Sequence, residues 1–454
     1  MNNENNIGNW SGRYAIVKFI VKIAFYLFYR KIYVSGQENI PDGGRLIFAA
    51  NHQNALMDAL AIITTSKYQP VFLARADLFI KPLIARIMQF FKIMPVYRFK
   101  DGVDSMGQNE DTFEKTSKVL AAGGCIGIMP EGTHGEQKRL QELKKGVFRI
   151  AFRAEEAYNN SLNVKIVPVG LDYSNTQGIF EKLTVNFGEP LAVSGYFDLY
   201  SQHPQKGINA MKKDLAGSLK SLIVDIKDDA YYEQDKLLLD IGSQILIKRI
   251  SRISGKTLEN FTVERAYCQA MYNYFEQNPG KADELRSKSS KLSGLMKTYN
   301  ISINSLINYK NPLSFFAILK SIFCFPFFIA GFFLHIVPYL IIKLALKGLK
   351  DAQFISSFKF VLGLLLIPLN YIFLALLFFS HFTPPLAALI IVSMPLAGFF
   401  AYSCYRQSLL YRDLMYFRRI CRKNKTIAGL VSELDSKIIA GLEPVCYEAE
   451  SKLK

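Results

Sequence analysis

Apolar and polar positions change their period along this chain. Over residues 11–34 the apolar side chains recur at helical spacing, interrupted by Arg13, Lys18, Lys22, Arg30 and Lys31. That stripe predicts an amphipathic helix at a membrane interface, with its cations among lipid headgroups. A core helix of the first domain is the competing reading. From about 33 to 190, short β-branched runs take over: RLIFAA (45–50), PVFLAR (70–75), GCIGIMP (124–130), VKIVPVGLDY (164–173) and LTVNFGEP (183–190). Helical patterns lie between them, as at 109–122 and 142–156. Strands alternating with helices predict an α/β domain, a mixed sheet flanked by helices.

Residues 191–310 read as helical and charged, with no cluster of chemistry-bearing side chains. Residues 311–404 are strongly apolar. Segments 358–379 and 385–403 are each long enough to cross a bilayer, which takes roughly 20 residues. The link between them, SHFTP, has no Lys or Arg. Lys343, Lys347, Lys350 and Lys359 precede the pair, and Arg406, Arg412, Arg418, Arg419, Arg422 and Lys423 follow it. The positive-inside rule makes this a hairpin with both ends cytosolic. The run 313–342 holds Lys320, Pro326 and Pro338 and is too short for two crossings. It is expected to enter and leave on one face, as a re-entrant or interfacial segment bent at the prolines. The expected organisation is an interface helix at 1–34, an α/β domain at 35–225 and a helical extension at 226–310. A membrane domain at 311–405 and a basic cytosolic tail at 406–454 follow.

Composition refines this picture. Half of the 454 residues are hydrophobic, yet the mean hydropathy is only +0.12, as for a soluble-like half joined to an apolar one. The formal net charge of +17 suits anionic partners, and beside long apolar segments anionic lipid is the simplest of them. No nucleic-acid motif is present. Six scattered cysteines without a C-x-x-C pair read as reduced residues, which favours a catalytic part facing the cytosol. A polar start, and Lys18 and Lys22 within the first apolar run, do not fit a cleavable signal peptide.

The chain has five histidines. His52 and His134 follow predicted strands of the α/β part, at strand ends where open sheets place their sites. His52 opens NHQNALMD, with Asp58 six residues on. A carboxylate beside a histidine fixes the ring tautomer and stabilises the imidazolium, which makes a neutral general base. A structural His–Asp pair fits equally. The run GCIGIMPEGTHG carries a strand into Glu131, Gly132, Thr133 and His134, followed by Lys138, Arg139, Lys144 and Lys145. Glycines and cations at a strand end suit a phosphate; a turn beside a solvated basic face is the alternative.

Two further blocks are FKIMPVYR, ending at Arg98, and IVPVG, with Pro168. The four in this order resemble the glycerophospholipid acyltransferase superfamily, over roughly residues 20–190 plus KKG at 144–146. Its motifs are a His…Asp box, a PV-x-R block, a PEGTR block and a final strand with a proline. The resemblance implies an acyltransferase-like fold. It also implies that His52 is the base for an acceptor hydroxyl attacking an acyl thioester, oriented by Asp58. Arg98 would hold the acceptor phosphate. Glu131, Gly132 and Thr133 would shape the acceptor site, and Lys144 would be a further phosphate ligand. No metal and no cofactor are implied; acyl-CoA or acyl carrier protein would be the co-substrate. The chain departs from the pattern twice. Five residues, not the commoner four, separate His52 from Asp58, as in the fungal branch of glycerol-3-phosphate and dihydroxyacetone-phosphate acyltransferases, which also carries later apolar segments. Six positions of a regular helix turn ~600°, so His52 must precede the helix that holds Asp58. His134 stands where the block usually has Arg, and Lys138 or Arg139 are the substitutes for its charge.

The expected function is membrane-bound acyl transfer to glycerol-3-phosphate or a related acceptor in phospholipid synthesis. A lysophosphatidate or other lysophospholipid acceptor is the second reading. An inactive membrane-surface lipid-binding or transport protein is the third. No G-x-S-x-G, P-loop or H-E-x-x-H motif supports another enzyme class.

Overall fold

The computed structural model describes residues 7–96, 105–254, 259–308, 315–349 and 351–453. The chain divides into two compact units. The first comprises residues 1–225 and 349–360, the second 226–348 and 361–454.

The first unit opens with α1 (Gly12–Phe28) and β1 (Lys31–Ser35). It continues through β2 (Leu46–Ala50), α2 (Leu56–Thr65), β3 (Val71–Arg75), α3 (Pro82–Phe90), β4 (Ile93–Val96), α4 (Ser105–Ala121) and β5 (Cys125–Ile128). After these come α5 (Gly146–Ala157), β6 (Lys165–Tyr173), β7 (Lys182–Phe187), β8 (Leu191–Ala192), α6 (Ser194–Gln202) and α7 (Pro204–Leu222). The strands form one sheet in the order β1-β7-β6-β2-β5-β3-β4, with β8 also on β6. Pairing is parallel except for β6 with β7 and β8, so the expected mixed α/β sheet is present. Residues 31–34, expected to end the first helix, instead enter the sheet as β1. The helix stops at Phe28, and Tyr29 is extended (φ −96°, ψ 139°).

β2 is the centre of the unit. All five of its residues are buried, as expected of a parallel strand covered on both faces. Ile47 and Ala49 face a core built from Val119 and Leu120 of α4, Phe148 and Phe152 of α5, and Met211 and Leu215 of α7. Phe48 points the other way, against Phe187 and Tyr68. Pro168 lies inside β6, where it costs no ladder bond to a long neighbour. β7 pairs from Val169 onward and β8 pairs only up to Ile166, so the missing N–H falls in the gap between them.

The second unit contains α8 (Tyr232–Ser254), α9 (Asn260–Gln277), α10 (Pro279–Thr298), α11 (Ile303–Asn308), α12 (Phe315–Leu346), most of α13 (Ile355–His381), α14 (Pro384–Lys423) and α15 (Lys425–Leu453). The tail expected at 406–454 is ordered helix, and α15 packs on α8, α9 and α10. Three helices are long and apolar enough to cross a membrane: 323–346, 352–381 and 384–423. This is a membrane protein. Pro326 and Pro338 do not break α12, which runs as one helix of 32 residues. It lies along α14, where a Cβ on Gly331 would meet Ala397 O at 2.2 Å.

Candidate active site

The carboxyl ends of β2, β5 and β6 lie side by side, and each delivers part of one site. From β2 the chain runs through Asn51, His52, Gln53, Asn54 and Ala55 into α2. The Asn51 amide is anchored on β6: Nδ2 donates to Leu171 O at 2.9 Å and Oδ1 accepts from Leu171 N at 2.7 Å. His52 is thereby held beside the end of β6.

His52 Nδ1 lies 2.8 Å from Asp58 Oδ2. The same oxygen accepts the backbone N–H of Gln53 at 2.9 Å and of Asn54 at 2.8 Å. Asp58 Oδ1 accepts the hydroxyl of Tyr173 at 2.7 Å. The loop therefore wraps around a carboxylate that is fully buried, and four donors satisfy it. A carboxylate only accepts, so the proton of the imidazole sits on Nδ1 and the lone pair on Nε2. Nε2 has no hydrogen-bond partner among the described residues, and the ring is 17% exposed.

The longer spacing between His52 and Asp58 is accommodated at Ala55. It precedes α2 with φ 43° and ψ −120°, a region that residues with a Cβ rarely occupy. That kink is the expected non-helical start. It lets Asn54 O accept from Met57 N and turns Asp58, in the first turn of α2, back toward His52. The Asn54 amide is buried, and neither Oδ1 nor Nδ2 finds a partner among the described residues.

β5 leads into Pro130–Gly135. Glu131 Oε1 accepts the N–H of His52 at 3.2 Å. Burial is the largest influence on this carboxyl and raises its pKa to about 8; the His52 N–H opposes that rise and the nearby Asp58 charge adds to it. Gly132 turns at φ 71°, and a Cβ there would crowd Lys144. Gly135 N donates to His52 O at 3.1 Å, so the two loops are tied through their backbones. The His134 ring packs on the His52 ring, with centroids 4.6 Å apart.

The remaining expected residues differ in placement. Thr133 is exposed and donates to Gln141 Oε1 at 3.0 Å. Lys144 is at the rim, its side chain 62% exposed and 3.9 Å from Glu142. Lys138 is engaged with Asp172 at 3.2 Å. Arg98 lies outside the described residues. The structure thus brings His52, Asp58, Glu131 and Gly132 together and sets Thr133 and Lys144 around them. Among the described residues, no group of three or more His, Cys, Asp or Glu side chains could hold a metal ion.

Two contributors escaped the sequence reading. Tyr173 ends the strand already singled out for Pro168, but its partner Asp58 is 115 residues away. Residues 351–360 come from the far side of α12. Gln353 Nε2 donates to His134 O at 3.3 Å, and the Phe354 ring sits edge-on to the His134 ring. Residues 349–360 cluster with the first unit and not with the membrane domain expected at 311–405.

A family model described as acyltransferase matches residues 31–172. The chain is 24% identical over 61% of its length to glycerol-3-phosphate O-acyltransferase 2 of Saccharomyces cerevisiae, spanning 38% of that relative. It is 31% identical over 40% of its length to a 1-acyl-sn-glycerol-3-phosphate acyltransferase of Borreliella burgdorferi, spanning 65% of that relative. The crystal structure of a 1-acyl-sn-glycerophosphate acyltransferase from Thermotoga maritima superposes with a TM-score of 0.31 at 20% identity, covering 44% of this chain and 79% of that one. Residues 31–172 of the chain thus match an acyltransferase domain.

Proposed function

We propose that the protein moves a fatty acyl group from a thioester, acyl-CoA or acyl carrier protein, to a hydroxyl of glycerol-3-phosphate or a related glycerol-phosphate acceptor in phospholipid synthesis. The observation that carries this reading is His52. Its Nδ1 is held by the buried Asp58, and its Nε2 is left for a substrate proton. The acceptor O–H gives its proton to Nε2 as the oxygen attacks the thioester carbonyl. The C–O bond forms, the C–S bond breaks, and the imidazolium returns the proton to the leaving thiolate. Asp58 stabilises the imidazolium in between. The thioester is already activated, so base catalysis and positioning suffice. Glu131 and Gly132 shape the acceptor side, and Arg98, Thr133 and Lys144 supply polar contacts to its phosphate.

A glycerol-3-phosphate acceptor is favoured by the long His–Asp box and by the yeast relative. A lysophosphatidate acceptor is the second reading, favoured by the Borreliella relative. We also propose that the catalytic unit faces the cytosol and rests on anionic lipid. Ile16, Phe19, Ile20, Ile23 and Leu27 of α1 are exposed, as are Leu83, Ile84, Ile87 and Phe90 of α3. Apolar faces of this size on a basic protein fit a membrane surface. The test is purified protein with a labelled acyl donor, offered in turn glycerol-3-phosphate, dihydroxyacetone phosphate and lysophosphatidate. Labelled product from one of the first two is expected. Transfer to lysophosphatidate alone would favour the second reading, and transfer to none would refute the proposal.

A further inference from the structure

Three aromatic rings stand in a row at the site. His134 packs on His52 with centroids 4.6 Å apart, and Phe354 meets His134 edge-on at 5.1 Å and 84°. The third ring comes from a segment far along the chain, and that segment is firmly fixed. Gln353 Nε2 donates to His134 O across 219 residues. Ser356 Oγ donates to Thr176 O at 2.5 Å and Lys359 Nζ to Gln177 O at 2.7 Å. Phe360 is buried in edge contacts with Phe25 and Phe28. Phe354 is therefore held in place by its neighbours on both sides.

Among the described residues, the His52 side chain makes one hydrogen bond, at Nδ1. A ring held at one atom can still swing about that contact, and the swing moves Nε2. The His134 ring limits it from one side, and Phe354 limits His134 in turn. We propose that Phe354 is a positioning residue for His52, acting through the His134 ring between them. The inference rests on His52 being the base. It gives the departure from Arg at position 134 a role in packing, since an imidazole can be gripped between two rings.

The test uses the full chain in membranes or detergent. Phe354→Ala should lower kcat about tenfold, as small misplacements of a reacting group do, with KM for donor and acceptor within about twofold. Phe354→Leu, which refills the volume, should restore most of kcat. Independently of turnover, diethyl pyrocarbonate should modify His52 several-fold faster in Phe354→Ala, read by mass spectrometry of the His52 peptide. Unchanged kcat per folded molecule and an unchanged His52 modification rate would overturn the proposal, even if the melting temperature falls. Should Phe354→Ala not fold, Gln353→Ala loosens the same segment and is held to the same two readouts. If the wild-type protein transfers no acyl group at all, the functional reading fails, while the modification rates still decide whether Phe354 holds His52.

Discussion

The hydroxyl of Tyr173 donates to Oδ1 of Asp58 at 2.7 Å, on the oxygen that His52 does not use. One strand end thus fixes the carboxylate that holds His52. Burial, and then the Asp58 charge, push the Tyr173 pKa well above the ordinary value, so the hydroxyl stays a donor. Hydrogen bonds to charged groups contribute about 1.5–3 kcal/mol. Asp58 keeps three other donors in Tyr173→Phe, so kcat should fall roughly tenfold with little change in KM. Steady-state kinetics decide; an unchanged kcat would remove Tyr173 from the account.

Ala55 carries the strain of the long box. A non-glycine residue in a sparsely populated region costs on the order of 1–3 kcal/mol, more than the roughly 0.5–1 kcal/mol entropic cost of glycine. Ala55→Gly should therefore raise the melting temperature by a few degrees, and the bulkier Ala55→Val should lower it. A melting temperature lowered by glycine would contradict the strain.

Glu131 makes stability depend on pH. Its folded-state pKa of about 8 lies above the ordinary carboxyl value of 4.5. Between those values the folded protein keeps a proton that the unfolded chain releases. Stability from this group is full below the unfolded pKa and is lost as pH rises toward 8, at up to about 1.4 kcal/mol per pH unit. Glu131→Gln removes the effect. Denaturant titrations from pH 5 to 8 should show wild type losing stability relative to Glu131→Gln; parallel curves would mean that the carboxyl is not raised.

The membrane path is open to a direct test. Among the described residues, no helix before α12 is long and apolar enough to cross a bilayer. Residues 351–360 are bonded to the catalytic unit. We propose that α12 begins and ends on one face, as an interfacial helix, and that α13 and α14 cross as a pair. Single cysteines at 308 and 348, in a background without reactive cysteines, should react with an impermeant maleimide from the same side, and one at 382 from the other. Opposite sides for 308 and 348 would show that α12 crosses.

Much of this was legible in the sequence because the governing signals are local. Strands β2, β3, β5 and β6 announce themselves as β-branched runs, and His52 and Glu131 stand just past two of them. The spacing of His52 and Asp58 required a break before the helix, and the kink at Ala55 supplies it. β1 was hidden because Lys31, Ile32 and Tyr33 continue the apolar-basic rhythm of α1, and only pairing with β7 makes them a strand. Tyr173, Gln353 and Phe354 act through contacts between residues more than a hundred positions apart, and no local pattern marks them. The pairing of Lys138 with Asp172 of β6 likewise joins residues distant in the chain.

His52 Nε2 is proposed to take the acceptor's proton. The most direct measurement is acyl transfer from a labelled thioester by His52→Ala against wild type, in protein shown to be folded and membrane-bound. Removing a general base costs about 10²–10⁴-fold, so the account predicts a rate down by at least that lower figure with binding of the donor retained. Transfer at a rate near wild type would contradict it.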